Sequence, residues 1–122
     1  VEARRAAGGL STAAARTLVE RATNAGDDGI RWRSDPRLRL PSPYRLTEEQ
    51  ALAFLAAIRA PTLVIAAEDG MLAPDDPGIR GRLEALADAR VERLPGNHHL
   101  HLEDPAPVAR RLAPFLRGDV GT

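Results

Sequence analysis

The 122 residues contain no cysteine and no lysine, and aromatic side chains make up only 3% of them. The lack of cysteine excludes disulfides, thiolate nucleophiles and cysteine-ligated metals. Scarce aromatics leave core packing to alanine, leucine and valine. The lack of lysine makes every basic residue an arginine, which reads as compositional bias. Net charge is absent too, since 17 arginines balance 17 acidic residues. That balance argues against a nucleic-acid partner, which calls for a one-sided basic surface, and against electrostatic attachment to anionic membranes. No apolar run approaches the roughly 20 residues that cross a bilayer. The opening Val1-Glu2-Ala3-Arg4-Arg5 lacks the apolar core of a secretion signal, so a cytoplasmic location is expected. A first residue other than methionine suggests a chain cut from something longer.

Hydrophobic residues, at 43%, are plentiful enough for a core. Ser11 suits the N-cap of a helix running toward Asn24, with Gly26 as its stop. The stretch from Asp27 to Leu46 carries Pro36, Pro41 and Pro43 and is expected to be irregular, with a short extended piece near Ile30–Arg33. Thr47 and Gln50 form a capping box for a helix that places Leu52, Leu55 and Ile58 together and ends before Pro61. Thr62-Leu63-Val64-Ile65-Ala66-Ala67 is short and β-branched, between Pro61 and Asp69-Gly70, and predicts a strand covered on both faces. A helix over Ile79–Ala87 and a strand over Arg90–Leu94 follow, with Pro95-Gly96-Asn97 turning the chain out of that strand. A last helix is expected from Asp104 and Pro105 to Gly118, burying Val108, Leu112, Phe115 and Leu116. Strand, helix, strand, helix makes the second half an α/β unit. Two parallel strands are too few for a free-standing sheet, so either a partner or further strands of the same fold are expected.

Functional groups in parallel sheets gather in the loops at the carboxyl ends of the strands. Here those loops hold Glu68-Asp69-Gly70 and Asn97-His98-His99-Leu100-His101. Neighbouring strands would bring a carboxylate and an imidazole to one edge, the pair a charge-stabilised general base requires. Three histidines within four positions also suit zinc, but no cysteine joins them and they lack a repeated helical spacing. Loop or packing histidines are the plainer reading of His99 and His101. None of Ser11, Ser34 or Ser42 has glycines two places away on both sides, the setting of a Gly-Xaa-Ser-Xaa-Gly nucleophile elbow.

Pro61 to Ile65, the acidic turn after it and Leu94-Pro95-Gly96-Asn97-His98-His99-Leu100-His101-Leu102-Glu103-Asp104-Pro105 resemble the last two core strands of α/β-hydrolases. Trp32 to Arg37 and Tyr44 to Gln50 resemble the cap of the serine hydrolase-like subgroup. The resemblance covers nearly the whole chain and implies a partial α/β-hydrolase fold. Residues 1–60 would be a helical cap or lid segment, and 61–122 the carboxy-terminal part of the core. It implies a Ser-His-acid hydrolase of small ester-like substrates, with the nucleophile upstream and neither metal nor organic cofactor. In this family the histidine stands five positions before a glutamate; Glu103 points to His98, with His99 in reserve. The usual acid position falls on Gly70, which leaves Asp69, then Glu68, or an acid from outside the chain. Trp32, Tyr44 and Phe54 are the candidate substrate contacts, with packing under the cap as their alternative role. An aspartate nucleophile is an alternative within the same fold, and Gly70 also admits a non-catalytic binding or scaffold domain. Oligomeric state is not indicated.

Overall fold

The computed structural model describes residues 1–119. They fall into two compact units that part between Arg45 and Leu46. The first contains α1 (Glu2–Gly8), α2 (Thr12–Ala22), β1 (Thr23–Gly26), β2 (Gly29–Trp32) and a 3₁₀ turn at Pro36–Arg39. Ser11 caps α2 as expected, its hydroxyl oxygen accepting from the Ala14 N–H at 3.1 Å. The helix does not run on to Asn24. Thr23 leaves it with extended backbone, and its hydroxyl donates to the Val19 carbonyl at 2.8 Å. Asn24 and Gly26 instead join β1, which pairs antiparallel with β2 in the register Thr23↔Trp32 to Gly26↔Gly29. The chain reverses over Asp27-Asp28, and Gly29 follows at φ 106°, a conformation glycine adopts without steric cost. The span expected to be irregular thus opens with half of a hairpin. Leu10, Ala14 and Ala15 are buried.

The second unit contains α3 (Glu48–Ala56), β3 (Thr62–Asp69), α4 (Pro77–Glu84), β4 (Ala89–Asn97), α5 (Leu100–Glu103) and α6 (Pro105–Arg117). The capping box is formed: the Gln50 N–H donates to Thr47 Oγ1 at 3.3 Å, and the Thr47 N–H to Gln50 Oε1 at 2.9 Å. Asp76 starts α4 by accepting from the Gly78 and Ile79 N–H groups at 2.9 and 3.2 Å. The strands β3 and β4 run parallel, from Thr62↔Ala89 to Asp69↔Asn97, and α4 makes the crossover between them. Arg82 of α4 grips both oxygens of Glu48 on α3, at 2.9 and 2.6 Å.

Ala67, Leu94 and Leu100 form the buried cluster of this unit, with Ile65 and Val108 packed against it. The last helix is shallower than expected: Val108 and Phe115 are half-buried, whereas Leu112 and Leu116 are exposed. Glu92 ties β4 to α6, one oxygen 2.6 Å from Arg90 and the other 3.0 Å from Arg111. Pro95-Gly96-Asn97 does not turn the chain away. These residues prolong β4, and between Ala67↔Leu94 and Asp69↔Asn97 the strand β4 spends one residue more than β3. This is a β-bulge, with Gly96 at φ 117°. Among the described residues no helix is long and apolar enough to cross a membrane.

Candidate functional site

The carboxyl ends of β3 and β4 lie side by side because the strands are parallel and hydrogen-bonded neighbours. Asp69 stands opposite Asn97, so Glu68-Asp69-Gly70 and Asn97-His98 share one sheet edge. The bulge sets the second loop. An extra residue steps the strand's alternation by one, so the residues after Gly96 are re-aimed relative to those before it. Asn97 then accepts from the His99 N–H at 2.7 Å through its side-chain oxygen. That local bond closes a turn over His98 and starts α5, a use of asparagine that needs no distant partner.

His98 is exposed at this turn, and its ring lies 3.9 Å from that of His99 with a tilt of 41°. The rings of His99 and His101 are 6.4 Å apart. His98 also lines a cavity of about 270 Å³ whose other walls are Ile65, Ala66, Ala67, Gly70, Met71 and Leu72. The imidazole is the one titratable side chain of that lining, so it meets a nearly apolar hollow on one side and water on the other. Asp69 and Glu68 are exposed, and among the described residues neither carries an ion pair or side-chain hydrogen bond. The carboxylate and imidazole therefore share an edge without being bonded to each other. Pairs of this kind are often loose until substrate is bound.

Gly70 closes the turn after β3, its N–H donating to the Ala67 carbonyl at 3.1 Å. A Cβ at position 70 would lie 3.0 Å from that carbonyl oxygen and 3.1 Å from the Ala67 Cβ. The aspartate that the family resemblance puts there would thus require the turn to give by a few tenths of an ångström. Among the described residues no group of three or more histidine, aspartate or glutamate side chains is arranged to hold a metal ion.

Trp32 lies on β2, Tyr44 in the link after the 3₁₀ turn, and Phe54 on α3, with 57%, 86% and 65% of their surfaces exposed. The first two belong to one unit and Phe54 to the other. Sequence reasoning missed Asn97 and the bulge as the parts that set His98. Gly96 beside an asparagine, inside an alternating strand, was the available signal. It also missed the apolar pair Met71 and Leu72, since a short loop carries no periodicity to read.

No protein-family model matches the chain. It is 29% identical over 115 residues to a serine hydrolase-like protein of Danio rerio, covering 88% of this chain and 35% of that protein. A serine hydrolase-like protein of Dictyostelium discoideum is 26% identical over 96 residues, covering 75% of this chain and 27% of that one. The chain thus spans about a third of the curated relatives it matches. Among solved structures, a hypothetical protein of Pseudomonas aeruginosa PAO1 superposes with a TM-score of 0.81 at 43% identity, over 95% of this chain and 42% of the other. The thioesterase domain from the curacin biosynthetic pathway superposes with a TM-score of 0.66 at 24% identity, over 92% of this chain and 40% of that one. The last likeness bears on the fold alone.

Proposed function

We propose that this chain, which has part of an α/β-hydrolase fold and is similar to serine hydrolase-like proteins, supplies the general base of a Ser-His-acid hydrolase acting on ester or similar acyl bonds. The base is His98. Its placement straight after a bulge, at the end of β4 and beside the acid-bearing end of β3, carries the reading. The attacking serine comes from a part of the protein outside these 122 residues. As its hydroxyl adds to the acyl carbon, His98 takes the hydroxyl proton. His98 then returns that proton to the departing alcohol, leaving an acyl-serine. Water repeats the sequence, again through His98, and releases the acid. Asp69 orients the ring and steadies the imidazolium by accepting its other N–H. Residues 1–60 act as the cap segment, and Trp32, Tyr44 and Phe54 contact the apolar part of the substrate. The mechanism uses no metal or organic cofactor.

Hydrolysis of a short-chain nitrophenyl ester by the full-length protein tests this. His98→Ala is expected to lower kcat/KM at least about 10³-fold, as loss of a triad base does. Asp69→Asn should lower it on the order of 10²- to 10⁴-fold, and His99→Ala should leave most of it. Equal rates for wild type and His98→Ala would remove His98 from the reaction.

A second reading, a non-catalytic binding domain that keeps the hydrolase architecture, is favoured by one observation. The position that the resemblance gives to the acid is Gly70, in a turn where an added Cβ would crowd Ala67. A wild-type protein without ester turnover, but with saturable binding of an ester analogue, would select it.

A further inference from the structure

A cleft of about 420 Å³ in the first unit is lined by Arg4 of α1, Leu18 and Ala22 of α2, Trp32 of β2, Ser34 and Arg39. Its volume falls within the range of about 300–1,000 Å³ common to small-molecule sites. The balance of charge sets it apart. Of the arginines lining other hollows, Arg90 and Arg111 hold Glu92, Arg82 holds Glu48 and Arg31 holds Asp28, whereas Arg33 donates to the Arg21 carbonyl and Arg110 has no ion pair among the described residues. In this cleft no acidic residue is part of the lining. Among the described residues, neither Arg4 nor Arg39 makes an ion pair or side-chain hydrogen bond. The nearby carboxylates of Glu2 and Asp35 are already taken by Arg5 and Arg37. Two guanidinium groups thus border a hollow whose other walls are an indole, a leucine, an alanine and one hydroxyl.

We propose that this cleft binds a small organic carboxylate with an apolar body. The planar donors of an arginine match the two oxygens of a carboxylate, and the second guanidinium adds charge. The indole face and Leu18 cover the apolar part, and Ser34 offers a further donor. A neutral ligand of the same shape would leave both arginines without a counter-charge, so the selection is for the anion. The site lies within one unit and shares Trp32, but not His98, with the contacts proposed above. Carboxylate preference and ester turnover are therefore read separately, and loss of the one leaves the other to be measured on its own.

Trp32 is the one tryptophan of these 122 residues, so its emission reports on the cleft. The full-length protein is titrated with phenylacetate and, separately, with phenylacetamide, its neutral counterpart, at fixed ionic strength. Emission change that is absent in Trp32→Phe is assigned to the cleft. Phenylacetate should give a saturable change, and phenylacetamide a change at least about tenfold weaker in apparent affinity, the effect of losing a charge-assisted contact. The double variant Arg4→Gln/Arg39→Gln should lose the preference, binding both probes alike. Both arginines are exposed, so the substitutions spare the fold, and unchanged far-ultraviolet circular dichroism verifies it. Equal affinity of wild type for the two probes would overturn the proposal. So would a phenylacetate curve unaltered by the double substitution, or no saturable change at all.

Discussion

A methyl group added at Gly96 would meet only the Leu100 Cβ, at an ordinary 3.6 Å, so the cost of Gly96→Ala lies in the backbone. At φ 117° an L-residue is strained by about 1–3 kcal/mol. Gly96→Ala is therefore expected to lower stability by that amount, read from the shift of the urea midpoint at constant slope. It should also depress ester turnover beyond the stability loss, because the bulge sets the turn over His98. Unchanged stability would mean that the turn relaxes freely. Position 70 differs in kind, since space and not φ is limiting there. Gly70→Asp restores the usual acid on paper, yet it forces Cβ against the Ala67 carbonyl. The expected result is a loss of about 1–3 kcal/mol with no gain in kcat, the range for overpacking a tight site. A faster variant would show that the turn yields.

Elements with strong local rules were legible in the sequence. The hydroxyl caps at Ser11 and Thr47 and the β-branched run that became β3 each name a structure without help from elsewhere. The acid-then-imidazole pairing at one sheet edge followed from two parallel neighbours. Other parts were hidden for physical reasons. The hairpin strands are four residues each and exposed except at half-buried Thr23, so no alternation marks them; Gly26-Asp27-Asp28-Gly29 was the one cue. The bulge is a matter of register between strands, which one strand's sequence does not contain. Asp104 and Pro105 start α6 as expected, although Asp104 makes no side-chain bond to the helix. Between elements, the Arg82 hydrogen bond holds the Glu48 carboxyl below its ordinary value of 4.5, and Coulombic attraction adds to this. A lowered carboxyl pKa in the folded state stabilises above the ordinary glutamate range and ceases to do so as pH falls through the lowered value. The difference in urea midpoint between wild type and Glu48→Gln should thus be constant near neutrality and shrink toward zero in acid. A gap that widens on acidification would contradict the pairing.

At the scale of the whole molecule, the link between the two units is the exposed stretch 40–47, which follows the 3₁₀ turn and precedes α3. Pro41 and Pro43 remove backbone donors there, and no strand or helix protects the chain. Brief trypsin treatment should cut first after Arg39 or Arg45, leaving a fragment that begins at Leu40 or Leu46, which mass spectrometry identifies. Early cutting after Arg90 or Arg93 instead would show that β4 opens more readily than the link. The solved Pseudomonas aeruginosa protein, of which this chain covers 42%, superposes over 95% of these residues, so the parallel pair occurs within a longer chain. Removing Gly96 would keep every chemically interesting side chain in the protein. Asn97 would still face Asp69, but the step in alternation that re-aims the residues beyond it would be gone, so that reactivity would vanish through a change of count and not of kind.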